Sequence, residues 1–355
     1  MLTSLAHVRI AGLAVSTGAV TRDFIAEGLA QGISEAELRK VAKAVGLSTR
    51  KVAGQGITSL DLCADAAQRL LSAAGLDASS VDALIFVTQT PDHGQPNNSS
   101  LLHGRLGLAK SAAAIDLSMG CSGWVYGLQQ AALLCAHGGA ARVLLCAGDT
   151  LSRLTNPGDR AMDPLFGDAG SATLIEKTGR STPFHFVLGA DGAAAEAIIV
   201  PAGGARQPTS AATRVEAVDG EGNSHHAENL RMNGAEVFNF TLREVPPAVS
   251  SVLRLAGWTP ETADALVLHQ ANRFVVTSVG RKCGFPAGKT PMEAFEKYGN
   301  QSSASIPCAL IDALGDRLEA GPLKVVACGF GVGLSWGAFA GEIGPLVIAP
   351  VESYG

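Results

Sequence analysis

Short apolar runs rich in valine, isoleucine and leucine recur along this chain, separated by alanine-rich stretches with helical spacing. In the first half they lie at 83–88, 113–117, 142–147 and 172–176; in the second, at 193–200, 265–268, 324–327 and 335–342. Runs of this length between helical patterns predict an α/β protein with a mostly parallel, buried sheet. Helices are expected at 59–74, 123–137 and 235–256, each stopping at glycine (Gly75, Gly138, Gly257), the residue a helix C-terminus prefers. Pro246-Pro247 inside the third predicts a kink or a split. The polar, glycine-rich stretch 201–231, which contains His225-His226, reads as a long excursion of the kind that caps a site. The sequence suggests two halves, 1–180 and 181–355, with a boundary near 177–183.

A length of 355 residues with 47% hydrophobic content supplies more core than one small domain needs. Charged residues are only 17% and the formal net charge is −5, without the basic excess that nucleic-acid binding requires. Seven cysteines, an odd number with no Cys-x-x-Cys, match neither a disulfide framework nor a zinc ribbon, so no metal is expected. A reducing cytoplasm fits. The N-terminal residues lack a basic region followed by a sustained apolar run, so no cleaved signal is indicated. No apolar stretch approaches the ~18–20 residues of a membrane span.

Cys121 stands out. It sits in Asp116-Leu117-Ser118-Met119-Gly120-Cys121-Ser122-Gly123, where a strand-like run meets Gly-Cys and then a long amphipathic stretch. A cysteine at the first turn of a helix has unpaired N–H groups and the positive end of the helix dipole beside its sulfur, which favours thiolate and marks a nucleophile. Free cysteines are otherwise among the most buried residue types. Cys63, Cys135, Cys146, Cys283, Cys308 and Cys328 fit that role: none follows a glycine, and most lie in apolar patterns.

A cysteine nucleophile needs a partner that manages charge, and Leu268-His269-Gln270-Ala271-Asn272 offers His269 where an apolar strand hands over to a helix, a place where α/β sites gather. Gly299-Asn300-Gln301-Ser302-Ser303-Ala304-Ser305-Ile306-Pro307 reads by itself as a capped turn entering a helix. The run Gly329-Phe330-Gly331-Val332-Gly333-Leu334-Ser335-Trp336-Gly337 lacks the G-x-G-x-x-G spacing of a dinucleotide site and is followed by a strand-like segment. It predicts a tight turn between two strands whose N–H groups can face a site.

Together, in this order, Gly-Cys-Ser-Gly, His-Gln-Ala-Asn, Gly-Asn-x-Ser and the C-terminal glycine run resemble the β-ketoacyl-acyl carrier protein synthase III family of condensing enzymes. Phe166-Gly167-Asp168-Ala169-Gly170, Asn156-Pro157-Gly158-Asp159-Arg160 and Met232-Asn233-Gly234-Ala235-Glu236-Val237-Phe238 extend the likeness from about Gly46 to near the C-terminus. The resemblance implies a thiolase-like fold, two similar βαβαβαββ halves in five αβαβα layers with one site between them. It implies that Cys121 carries the acyl group and that a malonyl thioester then loses CO₂ to give a 3-oxoacyl product. His269 and Asn300 match the pair that binds the malonyl thioester oxygen, and the backbone N–H groups of Cys121 and Val332 match the oxyanion donors, although the family usually has glycine at the second.

The same resemblance suggests Arg160 and Arg273 for substrate or carrier binding, while Lys40 and Ala44 stand where the family often has tryptophan and arginine for coenzyme A. The expected partners are an acyl-CoA or acyl-carrier-protein donor, malonyl-acyl carrier protein and a second copy of the chain, with Thr88-Gln89-Thr90-Pro91-Asp92-His93 near the partner's site; no cofactor is expected beyond the thioester substrates. Three other readings are a thiolase-fold enzyme that joins acyl chains without decarboxylation, a non-catalytic partner subunit, and a cysteine hydrolase, whose flanking residues do not match.

Overall fold

The computed structural model describes residues 1–355. Strands β1 (Leu2–Leu5), β2 (Val8–Gly18), β3 (Ala83–Val87), β4 (Ala113–Leu117), β5 (Arg142–Asp149), β6 (Ala169–Lys177) and β7 (Phe184–Ala190) belong to the first half of the chain or the boundary that follows it. Strands β8 (Ala265–Leu268), β9 (Leu323–Gly331), β10 (Ser335–Ile343) and β11 (Val347–Tyr354) follow. They form two sheets, in the orders β11-β2-β6-β5-β3-β4 and β1-β7-β10-β9-β8. Each sheet therefore takes one edge strand from the far end of the chain: β1 pairs with β7, and β11 with β2.

Five layers follow from which helix faces are apolar. Helix α1 (Ser59–Ala73) is amphipathic: Leu62, Cys63, Ala66, Ala67 and Leu70 pack against the first sheet with helix α2 (Asn98–Leu106), while Arg69 and Asp65 pair at its polar margin. Helix α3 (Gly123–Ala136) is apolar over most of its surface and helix α6 (Ser305–Ala320) is buried from Ser305 to Ile311; both lie between the sheets, where a helix is covered on two faces. Helices α4 (Gly234–Ala256) and α5 (Arg273–Lys282) cover the outer face of the second sheet.

Three sequence expectations change. The sheets are mixed rather than mostly parallel: β6 is antiparallel to both β2 and β5, and β10 to both β7 and β9. A run buried on both faces reads the same in either direction, so composition did not carry orientation. The run 193–200 is a 3₁₀ turn (Gly192–Ala197) and a two-residue strand, while the sheet strand is Phe184–Ala190. Helix α4 is continuous through Pro246-Pro247. Pro246 cannot donate to the Leu242 carbonyl one turn back, and that carbonyl accepts instead from Lys282 Nζ at 2.8 Å, so the lost bond is replaced from α5.

Candidate active site

The nucleophile candidate lies between the sheets. Cys121 follows β4 and immediately precedes Ser122, the N-cap of α3. The Ser122 hydroxyl is 2.7 Å from that of Ser335 at the start of β10, and Trp124, in the first turn of α3, is buried and donates from Nε1 to Thr173 Oγ1 at 3.0 Å. The C-terminal glycine run is the turn between β9 and β10, and it packs directly on Cys121. A Cβ at Gly329 would lie 2.6 Å from the Cys121 carbonyl oxygen; one at Gly331 would lie 3.0 Å from Sγ. Only hydrogen fits between this turn and the cysteine.

The backbone N–H groups of Cys121 and Val332 both face the sulfur. Gly331 and Gly333 carry the turn's positive φ values, 157° and 137°, whereas Val332 is not among the residues with positive φ, so valine is accommodated there without disturbing the N–H. Cys121 is partly exposed, toward a cavity of about 150 Å³. Burial of the sulfur nevertheless pushes the thiol up to about 12, against the pull of the Ser302 hydroxyl and the two N–H groups and with a further push from the Asp149 carboxylate. Desolvation therefore opposes the thiolate that a helix N-terminus favours, and the hydrogen-bond donors around the sulfur work against that desolvation.

His269 follows the last residue of β8 and its N–H donates to the Cys328 carbonyl at 2.9 Å, continuing the pairing with β9. Its Nδ1 is 2.7 Å from the buried Ser305 hydroxyl, and its ring stands edge-on to Phe330 with centroids 5.5 Å apart. Burial lowers its imidazole to about 3, with the Ser302 backbone opposing, so the ring is neutral at pH 7. Asn300 is held at both backbone ends: its N–H donates to the Leu165 carbonyl at 2.8 Å and its carbonyl accepts from Gly167 at 3.1 Å. Its side-chain oxygen accepts from the Ser302 N–H at 3.0 Å, which leaves the amide NH₂ for the cavity.

Cys121, His269, Asn300 and Val332 line this one cavity, which is otherwise mostly apolar, with Leu151, Met162, Phe166, Leu230, Met232 and Phe238 among its walls. Leu230 and Met232 come from the end of the 201–231 excursion and the residue after it. Arg160 and Arg273 do not reach the cavity. Arg160 is exposed in a separate surface recess beside the helix Phe24–Ala30. Arg273 folds over Gly46 and pairs with Glu296 at 2.9 Å. Lys40 and Ala44 are exposed on the helix Glu35–Val45.

Four further polar residues meet at the site without having been picked out as functional in the sequence. Gln89 lines the cavity of its own chain. Ser302 and Ser305 flank His269 and Cys121. Asp149, at the end of β5 and fully buried, accepts from Gln89 N at 2.7 Å, Thr88 Oγ1 at 3.2 Å and Ser303 Oγ at 2.7 Å. The serines were visible as a cluster after Gly-Asn, but a capped turn has the same composition.

Two family models match: the 3-oxoacyl-[acyl-carrier-protein] synthase III model over residues 115–192 and its C-terminal model over residues 253–343. Among curated relatives, the β-ketoacyl-[acyl-carrier-protein] synthase III of Symbiobacterium thermophilum is 37% identical over 297 residues, 83% of this chain and 86% of that protein. That of Rhodopirellula baltica is 34% identical over 317 residues, 84% and 88%. Among solved structures, a 3-oxoacyl-(acyl-carrier protein) synthase from Burkholderia xenovorans superposes with a TM-score of 0.92 at 38% identity, covering 100% of this chain and 99% of that one. The Thermus thermophilus β-ketoacyl-[acyl carrier protein] synthase III does so with a TM-score of 0.81 at 33% identity, over 95% and 99%. With its thiolase-like layers and this coverage on both sides, the chain belongs to the 3-oxoacyl-[acyl-carrier-protein] synthase III family of condensing acyltransferases.

Proposed function

We propose that Cys121 takes an acyl group from a coenzyme A or carrier-protein thioester and passes it to a malonyl-acyl carrier protein with loss of CO₂. The observation that carries this reading is the convergence of Cys121, His269 and Asn300 on one apolar cavity, with two backbone N–H groups at the sulfur. In the first step Sγ bonds to the acyl carbonyl carbon, the departing thiol takes the proton that Cys121 releases, and the N–H groups of Cys121 and Val332 meet the oxyanion. In the second, the malonyl carboxylate leaves as CO₂ and charge builds on the thioester oxygen. Neutral His269 and the Asn300 amide donate to that oxygen. The new carbanion attacks the acyl carbon, and Cys121 departs and is reprotonated.

The apolar walls suit an alkyl acyl group. Arg160 and Arg273, outside the cavity, are proposed to meet the phosphate-bearing part of the donor or its carrier, with no cofactor beyond the thioesters themselves. No helix is long and apolar enough to cross a membrane. A homodimer is also proposed, through β4: it is the outer strand of its sheet, its free edge is uncovered by a further strand, and Ile115 on it is 42% exposed.

Intact mass after incubation with a panel of acyl-CoA and acyl-carrier-protein thioesters tests the first step, and release of CO₂ from a malonyl thioester tests the second. Wild type should gain one acyl group and Cys121→Ala none. His269→Ala should acylate yet release no CO₂. Condensation by His269→Ala at the wild-type rate, or product without CO₂, would overturn the assignment.

A further inference from the structure

Ser302 is held where serine has no conformational reason to be. Its φ is 49°, and only one other non-glycine residue, His7, has a positive φ. Such a backbone persists only when its surroundings impose it. Here the Asn300 side chain accepts the Ser302 N–H at 3.0 Å, and buried Asp149 takes the next residue, Ser303, through its N–H at 3.3 Å and its hydroxyl at 2.7 Å. The result is a Ser302 hydroxyl 3.8 Å from Cys121 Sγ.

Two acceptors face the proton of that hydroxyl, the Cys121 sulfur and the buried Asp149 carboxylate, and the carboxylate already accepts from Gln89, Thr88 and Ser303. Gln89 Nε2 donates to Ser302 Oγ at 3.0 Å and so occupies a lone pair on the oxygen. Gln89 is itself fixed: its N–H donates to Asp149 at 2.7 Å, and its side chain lies over Gly120, where a Cβ would come within 2.6 Å of Oε1. The same carboxylate thus anchors both segments that converge on the sulfur. We infer that Ser302 is a further catalytic residue, its hydroxyl oriented by Gln89 to donate a hydrogen bond to the Cys121 thiolate whenever that thiolate forms.

The inference rests on the reading of Cys121 as nucleophile. Ser302 keeps its proton throughout. Cys121 loses the thiol proton, Sγ bonds to the thioester carbon and the departing sulfur takes a proton up; in condensation the carbon–Sγ bond breaks and the same hydroxyl receives the thiolate. One donor therefore serves the sulfur on entry and on exit. In a site that disfavours thiolate by burial and by the Asp149 charge, a neutral donor offsets part of that cost without adding a cation.

The test is the rate of Cys121 alkylation by iodoacetamide at fixed, near-neutral pH, followed by peptide mass so that the other six cysteines are scored separately. It needs no acyl donor, so its outcome is independent of whether any thioester in the panel acylates the protein. Ser302→Ala should slow alkylation by about tenfold or more. Ser302→Gly, which accepts positive φ freely, should do the same, and it carries the test if the alanine variant folds poorly. Gln89→Met should slow it by less. Gln89→Glu should slow it more than Gln89→Met, because a second carboxylate beside Ser302 would draw its proton away from sulfur. A Ser302→Gly rate equal to wild type would overturn the role, as would Gln89→Glu alkylating no more slowly than Gln89→Met.

Discussion

Gly331→Ala puts the packing of the glycine turn on the nucleophile to a direct test. A methyl at 331 would stand 2.9 Å from Cys121 Cβ and 3.0 Å from its Sγ, whereas carbon atoms at rest keep about 3.5–4.0 Å. Relief requires the turn or the cysteine to move by the better part of an ångström. Moving the turn also moves the Val332 N–H, so either adjustment spoils the sulfur–oxyanion geometry. A displacement of about 1 Å in such a site costs on the order of 100-fold in rate. The overpacking itself costs about 1–3 kcal/mol of stability, which leaves a protein of this size folded. Single-turnover acylation, read by intact mass at timed quench, should therefore slow by about 100-fold with a modest fall in Tm. Gly329→Ala is the useful contrast: its methyl would meet the Cys121 carbonyl and the Ser122 backbone rather than the side chain, so the fold should suffer first. Gly331→Ala acylating within about threefold of wild type, at an unchanged Tm, would refute the claim that this turn and the sulfur share one fixed geometry.

Two further outcomes follow from buried charge. Burial holds His269 at about 3 against an ordinary 6.5, so between those values the unfolded chain binds a proton here and the native chain does not. Stability from this group is present above 6.5 and is lost as pH falls; between pH 7 and pH 5 the loss is about 2 kcal/mol. Urea titrations at the two pH values should show that loss in wild type and a smaller one in His269→Gln; equal losses would contradict a buried, neutral His269. The buried Arg50 guanidinium meets Glu27 at 3.1 Å and Asp163 at 2.7 Å, beside the segment that carries Leu165 and Phe166 into the cavity. Arg50→Met strands two carboxylates and should cost about 3 kcal/mol. Adding Glu27→Gln and Asp163→Asn should restore part of it, and no recovery would mean the loss is one of packing.

Much of this architecture was legible because hydrophobic period and punctuation are local signals. The helices ending at Gly75, Gly138 and Gly257, the strand before His269 and the turn at 332–334 all lie within a residue or two of expectation. Strand direction was not local, and neither was the fate of Pro246: the carbonyl it abandons is satisfied by Lys282, 36 residues downstream, through a contact no window could contain. The site divides in the same way. Cys121, His269 and Asn300 sit at junctions that a pattern marks. Ser302 is the serine of Gly-Asn-x-Ser and Gln89 lies in the 88–93 segment, but their place beside the sulfur, with Asp149, comes only from the three-way meeting of chain segments that the fold creates. The balance of forces on the sulfur divides likewise: a helix end is visible in sequence, but the desolvation that opposes it comes from distant packing.

The exchange of edge strands between the sheets sets the order in which a nascent chain can fold. Strand β2 lies between β6 and β11, and Val347 of β11 faces Gly12 of β2 from the far side of the sequence. Until β11 has been made, one side of β2 has no partner and the first sheet is a strand short. Strand β1 waits in turn for β7, where Leu2 faces Val187. Pairings this distant along the chain raise the contact order, which slows assembly. Neither half by itself would carry a complete sheet, so a chain stopped before β11 leaves the edge of β2 unpaired, the kind of apolar strand edge that invites aggregation.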